Sequence, residues 1–335
     1  MTWLPVIWAG VIAFAVLAYV LLDGFDLGVG ILFAAEQREE DRDVMVSSVV
    51  PVWDGNETWL VLGGGGLFAV FPLAYAVIMP ALYPAIIAML LSLVFRGVGF
   101  EFRFSATTMR GKIWWDRGIC VGSTLAAFCQ GLILGGLLQG IHVQNRVYAG
   151  GWWDWLTPFT VLCGIALVVG YALQGACWLV WRCEGALHQR ARQQARVLAV
   201  ATLALIVIVS LWTPLLRPAF SDRWFTWPNI VLTSPVPILV VLVAWLFWRG
   251  LNRGHHATPL LCAQAWFVLC YAGLGISLWP LIVPPDITIW DAAAPPMSQH
   301  FLLIGALILL PIILCYTGFA YWVFRGKVRP GVHGY

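Results

Sequence analysis

The chain has 335 residues, of which 61% are hydrophobic and only 10% charged, with a net charge of +3 and a mean hydropathy of +0.85. Such a composition exceeds what a soluble domain carries, so the chain is read as an integral membrane protein. The small positive charge calls for no nucleic-acid partner.

A bilayer core requires roughly 20 apolar residues per helix. About nine such stretches follow one another, near 5–33, 51–71, 76–97, 118–141, 157–181, 197–216, 230–248, 260–283 and 300–324. The expected fold is therefore all-α, a polytopic bundle forming a single membrane domain over 1–335. Two four-helix bundles with a ninth, peripheral helix are the expected arrangement. The first stretch lacks a basic leader and a small-residue cleavage site, and is expected to be retained. The polar connections at 98–117 and 183–196 are too short for soluble domains.

When lysines and arginines are assigned to alternating sides of nine spans, all but three of the 19 fall on one side, including Arg96, Arg103, Arg190, Arg253 and Arg329. Arg146, Arg217 and Arg223 fall on the other. The positive-inside rule then predicts an outward N-terminus and a cytoplasmic C-terminus. Tryptophans near span ends, such as Trp3, Trp152, Trp153, Trp155, Trp224, Trp227, Trp290 and Trp322, suit the headgroup region. Gly63 to Gly66 in the second span are expected to allow close helix approach. Pro72, Pro80, Pro84, Pro235, Pro237 and Pro311 mark turns or kinks.

Ionisable groups at membrane depth are expensive and become functional candidates by that fact alone. The first span ends in Leu22-Asp23-Gly24-Phe25-Asp26-Leu27-Gly28, whose two carboxylates, three residues apart, share a helix face. The second opens with Trp53-Asp54-Gly55-Asn56-Glu57-Thr58-Trp59, again with acids three apart. The third closes on Phe95-Arg96 through Glu101-Phe102-Arg103. All three clusters lie toward the same side and are expected to converge. Grouped, desolvated carboxylates suit proton uptake and transfer near neutral pH. They also suit capping and pairing with arginine, and both readings stay open.

The histidines at 142, 188, 255, 256, 300 and 333 fall in connections, at span ends or in the tail, so no mid-membrane pair is expected to hold haem or copper. The eight cysteines form no Cys-x-x-Cys pair and read as packing residues, and no metal site is expected. No phosphate-binding glycine loop with a following lysine occurs.

Taken together, the Asp23-to-Gly28, Pro51-to-Leu60 and Phe95-to-Arg103 motifs resemble subunit II of cytochrome bd ubiquinol oxidases. So do Gly275-Ile276-Ser277-Leu278-Trp279-Pro280, Thr288-Ile289-Trp290-Asp291-Ala292 and Tyr316-Thr317 ahead of Tyr321-Trp322-Val323-Phe324-Arg325. The compact length looks most like the cyanide-insensitive branch. The resemblance implies a heterodimer in the bacterial inner membrane with a subunit I that carries two b-type haems and one d-type haem. That partner would oxidise ubiquinol near the outer face and reduce dioxygen to water. A small single-helix subunit and a structural quinone occur in some relatives.

The resemblance further implies that this subunit supplies part of a cytoplasmic proton entry. Asp54 and Glu101 are the principal residues, and Asp23, Asp26, Glu57, Trp53 and Arg96 line or support it. Two competitors remain: a secondary transporter, which would place its acids near the midplane in two related halves, and a structural anchor for a catalytic partner.

Overall fold

In the computed structural model, residues 3–328 are described, so Arg329 and His333 lie outside the described residues. Helix α1 (Trp3–Leu32) runs through a 3-10 turn into α2 (Glu39–Val49), which is followed by α3 (Trp53–Val70), α4 (Pro72–Arg103) and α5 (Met109–Gln139). A two-stranded hairpin of β1 (Val143–Gln144) and β2 (Val147–Tyr148) leads to α6 (Pro158–Arg182) and α7 (Gly185–Leu216). Short helices α8 (Pro218–Phe225) and α9 (Asn229–Thr233) precede α10 (Pro235–Asn252) and α11 (Thr258–Leu278). A second hairpin, β3 (Leu281–Val283) with β4 (Ile287–Thr288), is followed by α12 (Ile289–Ala292) and α13 (Pro296–Val323).

Among the described residues, 8 helical segments are long and apolar enough to cross a membrane. The expected second span, α3, is helical over 18 residues, but Asp54, Asn56 and Glu57 in its first two turns keep it less apolar than those eight. The chain is thus an all-α, polytopic membrane protein.

Two expected polar connections prove to be helix. Helix α4 continues to Arg103 and α5 begins at Met109, so most of 98–117 extends the two spans, while 183–196 supplies the first turns of α7. Ion pairs between these extensions and the α2 region, described below, engage Arg103, Lys112, Asp116 and Arg190, four of the charges that made the segments look like linkers.

The core forms at both ends of the bundle. At the arginine-rich end Phe25, Phe33, Val46, Trp178 and Trp266 belong to one buried cluster, with Phe25 stacked on Trp178 at 4.0 Å between ring centroids. At the opposite end Trp8, Phe71, Val283 and Ile287 belong to another. Helix α6 packs on α1, α5 and α7, crossing the expected boundary between two bundles. It approaches α1 so closely that a Cβ on Gly28 would lie 1.8 Å from the Tyr171 carbonyl oxygen, and one on Gly175 would lie 2.2 Å from the Gly28 carbonyl carbon. Only glycine permits that crossing. In the Gly63–Gly66 run, Gly63 and Gly66 meet Val16 and Ile12 of α1, whereas Gly64 and Gly65 face open space.

The few basic residues at the opposite end are partly spent on helix termini. Arg217 donates to the Gln139 carbonyl oxygen at 2.6 Å, and Arg223 donates to those of Ile276 and Ser277 at 3.0 and 3.1 Å. These carbonyls close α5 and α11 and have no partner further along their helices. Nearby, the Thr288 side chain accepts from the Asp291 backbone N–H at 3.3 Å, and the Asp291 carboxylate accepts from the Thr288 backbone N–H at 3.1 Å. The Thr288 hydroxyl donates to the same carboxylate at 2.5 Å, and this bond, with that of the Thr288 backbone N–H, holds the Asp291 carboxyl below its usual pKa.

Candidate functional site: a buried acid cluster around Arg96

The arginine of the third motif is the centre of the arrangement. Arg96 projects from α4, fully buried, and donates to Asp23 Oδ1 of α1 and to Glu57 Oε2 of α3, each at 2.7 Å. Asp23 is equally buried, while the Glu57 side chain retains 26% exposure. Trp53 lies against the guanidinium with 5.8 Å from its carbon to a ring centroid. Gly97 makes room for that indole, because a Cβ there would come within 3.1 Å of it.

One turn along α1, Asp26 is also fully buried. Its Oδ2 accepts from the Asn56 amide at 2.7 Å, and Asn56 Oδ1 accepts from the Tyr321 hydroxyl of α13 at 3.0 Å. On the other side of Asp23, Tyr19 lies within electrostatic reach. Gln130 donates to the Tyr19 hydroxyl at 2.7 Å and accepts from the Tyr171 hydroxyl at 3.0 Å. The polar run therefore crosses α1, α3, α4, α5, α6 and α13.

Three carboxylates lie near one guanidinium, which pairs with Asp23 and Glu57 but not with Asp26, so the cluster carries excess negative charge unless it takes up protons. Asp23 Oδ2 and Asp26 Oδ1 are buried without a hydrogen-bond partner among the described residues. A buried carboxylate oxygen in that position suits a proton or a water-mediated contact.

The structure places Asp23, Asp26, Glu57, Trp53 and Arg96 together. Asp54 and Glu101 lie outside this group. Both are exposed, and neither makes a hydrogen bond or ion pair among the described residues. Asp54 precedes Glu57 by one helical turn and is close enough to act on it electrostatically, so it stands at the exposed side of the cluster. Glu101 points outward from α4, between the buried Phe100 and Arg103.

A second ionic layer lies nearer the helix ends. Arg103 donates to Asp116 Oδ1 of α5 at 2.6 Å and pairs with Asp43 of α2. Arg42 meets Asp116 Oδ2 at 2.8 Å. Arg190 of α7 reaches Glu36 at 3.0 Å and Asp41 at 2.6 Å. This layer fastens α2 to α4, α5 and α7.

Sequence reasoning missed Asn56, Tyr321, Tyr19 and Gln130 in the inner cluster, and Asp43 and Asp116 in the outer one. Asn56 sits inside the second motif, and its position between two acids was a usable signal. Tyr321 lies 265 residues from its partner, and no local pattern could join them.

None of the described histidines is buried, so the interior offers no imidazole to a haem iron. Among the described residues no three His, Cys, Asp or Glu side chains gather as a metal site. The buried acids do not fit a haem.

Residues 4–324 match the family model described as cytochrome bd terminal oxidase subunit II. The chain is 30% identical to cytochrome bd-I ubiquinol oxidase subunit 2 of Escherichia coli strain K12, over 96% of this chain and 94% of that one. It is 28% identical to cytochrome bd ubiquinol oxidase subunit 2 of Bacillus subtilis, over 96% of each. Among solved structures, the bd oxidase of Geobacillus thermodenitrificans contains a chain that matches with a TM-score of 0.77 at 17% identity, covering 96% of this chain and 99% of that one; this likeness shows the fold. With the motifs and their order running the length of the chain, the protein belongs to the cytochrome bd terminal oxidase subunit II family.

Proposed function

We propose that this chain is the haem-free subunit of a quinol:oxygen oxidoreductase, paired with a haem-bearing subunit I, and that its acid cluster forms part of the path bringing protons to dioxygen reduction. The carrying observation is the buried Asp23–Arg96–Glu57 group, with acids in excess and one member, Glu57, partly exposed. Quinol oxidation releases protons and electrons, while reducing dioxygen to two waters consumes four of each. With proton release outside and uptake inside, the chemistry charges the membrane without a pump.

In this reading Asp54 and Glu101 gather protons at the surface, Glu57 receives them and Asp23 holds them beside Arg96. Arg96 and Trp53 fix the geometry. The two b-type haems and one d-type haem belong to subunit I, in keeping with the lack of a buried imidazole among the described residues. The arginine-rich end faces the cytoplasm of a bacterial inner membrane, which leaves the N-terminus outside.

Acids near one end, not at the midplane of two related halves, favour this reading over a secondary transporter. The test is oxygen consumption and proton uptake by an Asp54→Asn complex with full haem content. Slower turnover with haems retained is the expected result. Unchanged turnover and proton uptake would remove Asp54 from the path and leave the structural-anchor role for that position.

A further inference from the structure

Arg182 ends α6 at the arginine-rich end, 5% exposed, with its guanidinium 5.3 Å from a ring centroid of Trp178. Arg96 and Arg103, the other fully buried arginines of that end, each bind two carboxylates. Arg182 binds none. Among the described residues its side chain makes no hydrogen bond or ion pair, and its Nε is buried without a partner. A buried cation without a counter-charge among the described residues is costly, so this position calls for an anion.

The surroundings supply further donors. Arg182 lines a recess with Ser48, Trp181, Tyr321 and Phe324. Ser48 is already engaged, donating to the Met45 carbonyl oxygen and accepting from the Trp178 indole. Trp181, half-buried, makes no hydrogen bond through its indole N–H among the described residues. Lys327 donates to the carbonyl oxygens of Trp181 at 2.6 Å and Cys183 at 3.4 Å, leaving a third N–H free. It also lies within electrostatic reach of Arg182. Glu184, the exposed acid next in the chain, acts on Lys327 and makes no ion pair with Arg182.

We propose that Arg182, Lys327 and the Trp181 indole together bind a phosphate group, that of an anionic phospholipid headgroup at the arginine-rich surface. The enclosed part of the recess, about 10 Å³, has room for roughly one water, so the phosphate sits at its mouth against the guanidinium. The apolar wall continues outward through Phe324 onto α13, where Tyr316, Phe319 and Trp322 are exposed and acyl chains can lie. An arginine fork beside a lysine and an indole N–H is a donor set suited to phosphate oxygens. Tyr321 borders both this recess and the acid cluster, but Arg182, Lys327 and Trp181 make no hydrogen bond or ion pair to the cluster's acids among the described residues.

The test uses the intact complex, delipidated and then exchanged into nanodiscs of phosphatidylglycerol or phosphatidylcholine, with retained lipid counted by native mass spectrometry. Thermal stability in inorganic phosphate is the second arm, and haem content reports assembly. Wild type should retain phosphatidylglycerol selectively, and Arg182→Gln should lose it by roughly tenfold or more, with Arg182→Lys intermediate. Stabilisation by inorganic phosphate in wild type but not in Arg182→Gln, without lipid selectivity, would assign the same site to a free phosphate. Equal lipid retention and equal phosphate response in wild type and Arg182→Gln would overturn the proposal. If Arg182→Gln does not assemble, Lys327→Gln carries the test: several-fold weaker retention supports the site, and unchanged retention refutes it.

Discussion

The chain handles charge in two ways within a few turns of each other. Around Arg96 the acids outnumber the cation, Asp23, Asp26 and Arg96 are sealed from solvent while Glu57 stays partly exposed, and carboxylate oxygens of Asp23 and Asp26 are unpartnered among the described residues. Around Arg103 the pairs Arg42–Asp116, Arg103–Asp43, Arg190–Glu36 and Arg190–Asp41 come close to balancing one another, and several members reach solvent. The residue types are the same, but in the function proposed above the inner set gains and loses protons while the outer set ties helices together. Stoichiometry and burial, not the identity of the ion pair, separate a chemical site from a structural clasp.

The largest effect should come from Arg96→Gln. Removing the one cation leaves Asp23 and Glu57 buried without their partner, a loss of about 3–5 kcal/mol for breaking a buried pair. The expected outcome is little assembled complex, measured as haem recovered per membrane protein. Replacing Asp23, Glu57 and Arg96 together by leucine removes all three charges and should restore assembly without turnover, which would separate the cluster's chemistry from its structural part.

Next, Glu57→Gln and Asp116→Asn set the two layers directly against each other. Glu57→Gln should lower oxygen consumption per haem by roughly tenfold or more, as for loss of a group that transfers protons. Asp116→Asn should lower thermal stability, because Asp116 bridges Arg42 and Arg103, while turnover per haem stays close to wild type. The reverse pattern would exchange the roles given to the two layers.

A smaller effect is expected from Lys112→Ala, which removes an ion pair to Glu39 whose partners are both partly exposed. Such pairs contribute about 0–1 kcal/mol, so the melting temperature should shift slightly and lose its dependence on salt. The smallest concerns Asp291, whose folded-state pKa is depressed by its bonds to Thr288. That contribution is present above the usual carboxylate pKa and disappears as pH falls through the lower folded value. Asp291→Asn should therefore narrow its stability difference from wild type only in acid, as read by melting curves below about pH 4.

The motif pairs Asp23–Asp26, Asp54–Glu57 and Arg96–Arg103 could be read from the chain because charge is rare among so many apolar residues. Their helical spacing also indicated which side chains share a face. The family resemblance put Asp54 and Glu101 ahead of Asp23, and spacing within a helix could not test that order, since it does not say which face meets a neighbour. Asp54 and Glu101 turn outward, and Asn56 and Tyr321 turn inward to Asp26. The helical extensions of α4, α5 and α7 were likewise hidden, because their charges look like loop composition until the partners on α2 are in place.

The sequence by itself determined the solvent, the all-helical class, the approximate spans and the charged residues that had to be accounted for. Each follows from composition and from the helical period, which act over short stretches of chain. Only the tertiary structure decided that Arg96 serves two acids, that Tyr321 closes on Asn56 from the far end of the chain, and that Arg182 has no counter-ion among the described residues. Those outcomes depend on how helices pack across hundreds of residues. Burial then fixes what each charge costs and which partner can offset it.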